Sequence, residues 1–210
     1  PPKDTRNEAI VPIAARYVLI AGLRIILSAV SLFLMYQNTL NRYKQRQALL
    51  SQAYFDQLTG AYNRTSLDNI TKEAFKHNQD AAFIFIDLDG FKPINDEYGH
   101  QTGDEVLKII VKRVQHLLRS NDVLFRLGGD EFAILLSGQL TRADIEHIIQ
   151  RIEEVIEKPM QIKQNLIEVR ASVGYSCYGE DGHDADSLLN AADEKMYAVK
   201  HARKQSKQTG

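Results

Sequence analysis

Phe125-Arg126-Leu127-Gly128-Gly129-Asp130-Glu131-Phe132-Ala133-Ile134-Leu135-Leu136 sets two apolar β-type runs on either side of two glycines and two carboxylates. A glycine pair between β formers signals a hairpin, because glycine takes the positive φ that a tight turn needs. Adjacent acids at such a turn repel unless a cation stands between them and a partner. Asp130 and Glu131 therefore point to a metal or a polyphosphate, against the plainer alternative of a solvated polar turn. The rest of the chain decides between the two.

At 210 residues there is room for one domain of ordinary size plus an extension. A net charge of −1 argues against a polybasic nucleic-acid binder, and 44% hydrophobic residues suit a globular or a membrane-attached protein. Cys177 is the single cysteine, which excludes an intrachain disulfide and makes a reducing compartment the default for the folded part. No Cys/His cluster has zinc-ligand spacing.

Residues 1–16 are a polar start, and residues 17–36 are apolar except for Arg24. About 20 helical residues span about 30 Å, the thickness of a bilayer core. Tyr17 and Tyr36 suit the two interfaces, and Arg42, Lys44 and Arg46 suit the cytoplasmic side. Arg24 counts against a lipid-facing span, at about 2.5–3.5 kcal/mol on insertion scales, unless it faces a partner helix. The expectation is a transmembrane helix, with a buried helix of a sensory module as the alternative. A start at Pro1-Pro2-Lys3, without methionine, leaves room for an upstream sensory portion. Over residues 37–55, continuing from Tyr36, the residues Leu40, Tyr43, Gln47, Leu50 and Tyr54 keep the four-three spacing of a coiled-coil seam. This predicts a parallel dimeric stalk, against an amphipathic helix lying on its own domain.

The spacing from residue 56 onward predicts an α+β domain, a sheet covered by helices. Thr59-Gly60 is a turn, Asn63 caps a helix reaching about His77, and Ala82 to Ile86 is a buried strand that ends in Asp87-Leu88-Asp89. A carboxylate at the carboxyl end of a strand is well set to meet a ligand, which makes Asp87 a second metal candidate. A short helix and loop follow Gly90, with Lys92 able to meet phosphate and Asn95 a base edge. Thr102-Gly103-Asp104 starts a helix that stops near Arg119 to Asp122. Val123 to Leu127 and Phe132 to Leu136 form the central hairpin. Thr141 with Asp144 reads as a capping box before the stripe Ile145, Ile148, Ile149, Ile152 and Ile156. Gln161 to Lys163 and Ile167 to Tyr175 read as a second hairpin. A last helix from about Ala185 turns Leu188, Leu189, Ala192, Met196 and Val199 inward, before a polar tail over residues 206–210.

Asp56-x-Leu-Thr-Gly-x-x-Asn-Arg64, Asp87-Leu-Asp-x-Phe-Lys-x-x-Asn-Asp96, Gly99-His-x-x-Gly-Asp104, Arg126-x-Gly-Gly-Asp-Glu-Phe132, Ser172-Val-Gly174 and Ala192-Asp-x-x-Met-Tyr197 stand in an order and spacing that resemble the GGDEF diguanylate cyclases. The resemblance covers about Tyr54 to Gln205, and six motifs in register are far more specific than one. It implies a palm-like nucleotidyl-cyclase fold and condensation of two GTP into cyclic di-GMP with release of pyrophosphate.

By the same resemblance, Asp87, Asp130 and the Leu88 carbonyl hold Mg2+, with Mn2+ as the alternative ion, and Glu131 helps at the metal or deprotonates the hydroxyl. Gly128 and Gly129 let backbone amides approach the phosphates. Asn95 and Asp104 resemble the guanine readers; Lys92, Lys200 and the loop residue Phe91 belong to the substrate site. Each domain holds one GTP, so a homodimer built through the stalk is implied, at the cell inner membrane with the catalytic domain cytoplasmic and no nucleic-acid partner. Arg119-Ser-Asn-Asp122 resembles the family's inhibitory site for the cyclic di-GMP product, against the plainer reading of a helix terminus, with Arg151 contributing from a partner domain. Two departures stand out. Lys195 replaces a small residue, and Arg203-Lys204-Gln205 replaces Gly-Arg-Asn, so Lys204 offers a point charge where a bidentate arginine is usual. Competing classes are a catalytically silent module that binds GTP or cyclic di-GMP, and a palm-type polymerase, which the near-neutral charge disfavours.

Overall fold

In the computed structural model, residues 5–77 and 81–208 are described, and the chain divides into two units, Pro1–Ser51 and Gln52–Gly210. The first unit is made by helix α1, Thr5–Tyr54. From Thr5 onward the polar start belongs to this helix, and within it Ala15–Tyr54 includes a stretch long and apolar enough to cross a membrane.

The second unit runs β1 (Tyr62–Asn63), α2 (Arg64–His77), β2 (Ala81–Asp89), α3 (Phe91–Tyr98), α4 (His100–Gln115), β3 (Val123–Gly128), β4 (Glu131–Ser137), α5 (Arg142–Glu157), β5 (Met160–Ile162), β6 (Asn165–Ile167), β7 (Arg170–Cys177) and α6 (Ala185–Gln208). The main sheet has the order β1-β3-β4-β2-β7, with β1 parallel to β3 and the other pairs antiparallel. This is the expected α+β class.

Strand parity builds both layers and sets the site. Successive side chains of a strand point to opposite faces. On β2, Ala82, Ile84, Ile86 and Leu88 join a core with Val106, Leu107 and Ile110 of α4 and Ile145, Ile152 and Ile156 of α5. Ala81, Phe83 and Phe85 face the other way, onto α2 and α6 through Leu67, Leu188, Ala192 and Met196. Helix α6 lies close on β7: a Cβ on Gly174 would press into the backbone of Ala192 and Met196. The odd-numbered end of β2, Asp87 and Asp89, thereby belongs to the α6 face.

Several expectations are met in detail. Asn63 Oδ1 accepts from the Ser66 amide at 3.0 Å, and Thr141 and Asp144 form a reciprocal capping box. Others are corrected. Strand β2 runs through Asp89 as a full strand rather than stopping at Ile86, because Leu88 and Asp89 still pair with β7 after the pairing with β4 has ended at Asp87. Helix α4 starts at His100, where Gly99 at φ +82° breaks it from α3, and it ends at Gln115 rather than near Arg119. The run from Ile167 to Tyr175 is two strands: β6 closes a small hairpin on β5, while β7 crosses to the edge of the main sheet. Val199 is 37% exposed rather than turned inward. Residues 206–208 of the polar tail continue α6, and residues 209–210 lie outside the described residues.

Candidate active site

Asp87 of β2 and Glu131 of β4 are directly opposed in the antiparallel ladder. Gly128 pairs with Glu131, so Gly129 and Asp130 form the turn between the strands, and the register shifts between Arg126 and Gly128. Gly129 has φ +48°, a conformation that glycine takes at little cost. The Leu88 amide donates to the Asp130 carbonyl at 3.2 Å, which ties the tip of the hairpin to β2. Asp87, Leu88, Asp130 and Glu131 are therefore brought together as the sequence predicts.

Arg126, which sequence analysis leaves without a role, clamps this turn. Its Nε and Nη2 donate to the Gly129 carbonyl at 3.1 and 2.8 Å. Its Nη1 donates to Asp56 Oδ1 at 2.9 Å. The same Asp56 oxygen accepts from the Thr59 amide and hydroxyl at 2.9 and 2.7 Å. Burial pushes the Asp56 carboxyl up, but the bonds from Thr59 and Arg126 outweigh it and hold the group below the usual carboxylate range.

The hairpin acids behave oppositely. Burial pushes Asp130 up, and the charge of Asp87 adds to the effect against the opposing pull of Lys200 and Arg126. Glu131 is likewise pushed up, by burial first and then by Asp87, Asp130 and Asp193, with Arg64 opposing. Such a cluster of acids is short of positive charge.

Lys200 of α6 supplies part of that charge. Its ammonium donates to Asp87 Oδ1 and lies 3.8 Å from Asp89 Oδ1. The Asp89 carboxylate is also bonded by the Ser172 hydroxyl at 3.0 and 2.9 Å. Asp89 and Ser172 also went without a role in the sequence, although each stands inside a motif. A charged or hydroxyl residue within a motif was the available signal.

A cleft of about 1020 Å³ opens beside these groups, lined among others by Leu88, Asp89, Phe91, Lys92, Asp130 and Lys200. Lys92 is exposed in the first turn of α3, and Phe91 is buried. The Asn95 amide occupies the space a Cβ on Gly103 would need, with the Phe91 ring beside it. Asn95 thus sits against the residue before Asp104, and both are half-buried. Gly128 and Gly129 are exposed, with nothing of the chain within 4 Å of where their Cβ atoms would stand. The side chain of Lys204 lies outside the described residues.

Away from the cleft, Asp122 is committed to local structure. Its two oxygens accept from the Arg119 amide at 2.9 Å and the Ser137 amide at 3.4 Å. The Arg119 charge reaches Asp144, which is held low first by the Thr141 bonds and then by Arg119 and His147. Arg151 is exposed on α5, about two turns beyond Asp144.

The donor set suits a hard cation. Two carboxylates and a carbonyl at the hairpin tip are oxygen ligands of the kind Mg2+ prefers, and an ammonium already sits on one of them. Among the described residues, no three His, Cys, Asp or Glu side chains form a ready-made cage. Mg2+ does not need one, since it is commonly held by one or two carboxylates plus substrate phosphates.

Residues 53–206 match the family model described as diguanylate cyclase, GGDEF domain. The chain is 36% identical over 167 residues to the cyclic di-GMP phosphodiesterase NbdA of Pseudomonas aeruginosa, covering 77% of this chain and 21% of that protein. It is 34% identical over 168 residues to the diguanylate cyclase TpbB of the same species, covering 78% of this chain and 39% of that protein. The chain thus spans well under half the length of these curated relatives. A sensory box/GGDEF family protein from Caulobacter crescentus superposes with a TM-score of 0.68 at 33% identity, over 71% of this chain and 99% of that one. With residues 53–206 matching the family model and the Caulobacter crescentus domain superposing at 33% identity, the chain belongs to the GGDEF diguanylate cyclase family.

Proposed function

We propose that this chain is an active diguanylate cyclase that joins two GTP into cyclic di-GMP and releases pyrophosphate. The observation that carries it is the gathering of Asp87, Asp130 and Glu131 at one hairpin mouth, beside the Lys200 ammonium. A silent receptor of nucleotide has no need of three acids gathered around one lysine.

In the reaction, the 3′-oxygen of one GTP bonds to the α-phosphorus of the other as the bond to pyrophosphate breaks, in line, and the reciprocal attack closes the ring and releases a second pyrophosphate. Asp87, Asp130 and the Leu88 carbonyl would hold Mg2+, or Mn2+ in its place, which supplies charge neutralisation for the triphosphate and the leaving group. Glu131 takes the proton of the attacking hydroxyl. Burial and its acid neighbours already lift its proton affinity toward that of a useful base. Lys92 and Lys200 pair with phosphate oxygens, and the open flank of Gly128 and Gly129 leaves the backbone accessible to them. The Asn95 amide and the Asp104 carboxylate match the acceptor and donor edge of guanine, with Asn95 and Phe91 both set against Gly103.

One domain binds one GTP, so two domains must face each other. The heptad seam from Tyr36 to Tyr54 supports a parallel homodimer, and the apolar residues 17–36 support anchorage in the inner membrane with the catalytic domain cytoplasmic. Arg119, with Asp122 positioning its backbone and Arg151 offered by the partner domain, supports a second site at which cyclic di-GMP inhibits.

Incubation of the chain with GTP and Mg2+, followed by chromatography of the nucleotides, tests the function. Cyclic di-GMP is expected. Saturable GTP binding without product would instead identify a silent module.

A further inference from the structure

Lys200 makes a contact that a phosphate-binding lysine has no need of. Strand parity turns Asp87 and Asp89 toward α6, and Lys200 reaches from α6 onto both. Lys200 and Asp87 are 24% and 16% exposed in their side chains, so the pair is well shielded from solvent. Ser172 takes up the Asp89 carboxylate with bonds to both oxygens. Asp87 is thus the acid on which the ammonium settles. A lysine amine carries its proton across the physiological range. The ammonium is a compact point charge on a flexible four-carbon stem, and the cleft it lines leaves it room to swing away from β2.

We propose that Lys200 is the placeholder of the divalent cation: its ammonium occupies Asp87 while the site is empty and leaves for the triphosphate oxygens when nucleotide arrives. Metal and nucleotide then enter as a coupled pair, and metal alone binds poorly because it must first displace Lys200. This positioning role rests on the cyclase function proposed above.

The test is Mn2+ binding to the full chain, followed by electron paramagnetic resonance, with and without a GTP analogue whose α–β bridge is not cleaved. The wild-type chain should bind Mn2+ weakly alone and far more tightly with the analogue. Lys200→Met keeps the length and removes the charge. It should bind Mn2+ alone about tenfold more tightly than wild type, the scale of one unit charge beside a carboxylate in a partly shielded site. The gain from adding analogue should shrink to match. A second measurement needs no variant: acylation of Lys200, read by peptide mass spectrometry, should speed up when Mn2+ alone is raised to saturation. Equal Mn2+ affinity in Lys200→Met and wild type, or acylation insensitive to Mn2+, overturns the placeholder and leaves the cyclase intact. Failure of the wild-type chain to bind Mn2+ even with analogue removes the metal site and both proposals together.

Discussion

Arg126 Nη1 lies 2.9 Å from Asp56 Oδ1, and the same guanidinium grips the Gly129 carbonyl, so the first motif of the domain is wired to the glycine turn of the central hairpin. The two side chains are only 13% and 25% exposed, which makes the pair more than a surface ion pair. Arg126→Ala leaves Asp56 without its cation and the turn without its clamp. We expect a loss of about 1–3 kcal/mol in urea unfolding. Because the proposed catalysis needs Asp130 and Glu131 in register, turnover should fall by about tenfold or more, well beyond the stability effect.

The pH dependence of stability should carry the mark of the hairpin acids. Asp130 and Glu131 have ordinary values of 3.8 and 4.5 and are raised in the folded chain. A raised acid binds its proton more tightly folded than unfolded, so its relative contribution is greatest below the ordinary value and is lost as pH rises through the folded one. Metal-free protein should therefore lose some stability as pH climbs from about 4 toward neutrality. Glu131→Gln should flatten that slope and melt higher than wild type at pH 7. A parallel pH profile for the two proteins would contradict the assignment. Asp56 runs the other way: its lowered value adds stability above 3.8 that is lost on acidification.

Arg119 and Asp122 should separate on mutation. Both Asp122 oxygens bond backbone amides, whereas the role proposed for Arg119 is to meet product. Asp122→Ala should cost about 1–2 kcal/mol by unfolding, as for a lost side-chain cap. Arg119→Ala should stay within about 0.5 kcal/mol of wild type yet weaken inhibition by cyclic di-GMP severalfold. Identical inhibition curves for Arg119→Ala and wild type would remove the inhibitory site.

Removal of residues 1–51 isolates the unit Gln52–Gly210. If the helix brings two domains together, the truncated protein must find its partner by diffusion. Its rate per domain should then rise with protein concentration, while that of the full chain stays flat, since tethering supplies about millimolar effective concentration. Equal, concentration-independent rates would exclude the helix as the dimer element.

The parts of this fold that local chemistry dictates are the parts legible in the sequence. The glycine turn, the Thr141–Asp144 capping box and the Asn63 cap depend on residues within a few positions of one another, and all three form. Choices that depend on the whole sheet were not legible. An apolar run from Ile167 to Tyr175 has the same local pattern whether it closes a hairpin or crosses to β2, and the lack of ladder pairing at Glu168 and Val169 splits it. The candidate acids were legible because they stand at ends of β-type runs. The Arg126–Asp56 clamp joins residues 70 apart and the Lys200–Asp87 pair residues 113 apart. Spacing says nothing of such pairs. Strand parity, once β2 is known to run through Asp89, explains the second, since it turns both acids toward α6.

The most direct measurement is the rate of cyclic di-GMP formation from GTP and Mg2+ by the full chain, compared with Glu131→Gln under the same conditions. The account predicts steady product from wild type and a loss of about a hundredfold or more in the variant, the scale of a missing general base. Product at the wild-type rate from Glu131→Gln, or no product from the wild-type chain at all, would contradict it.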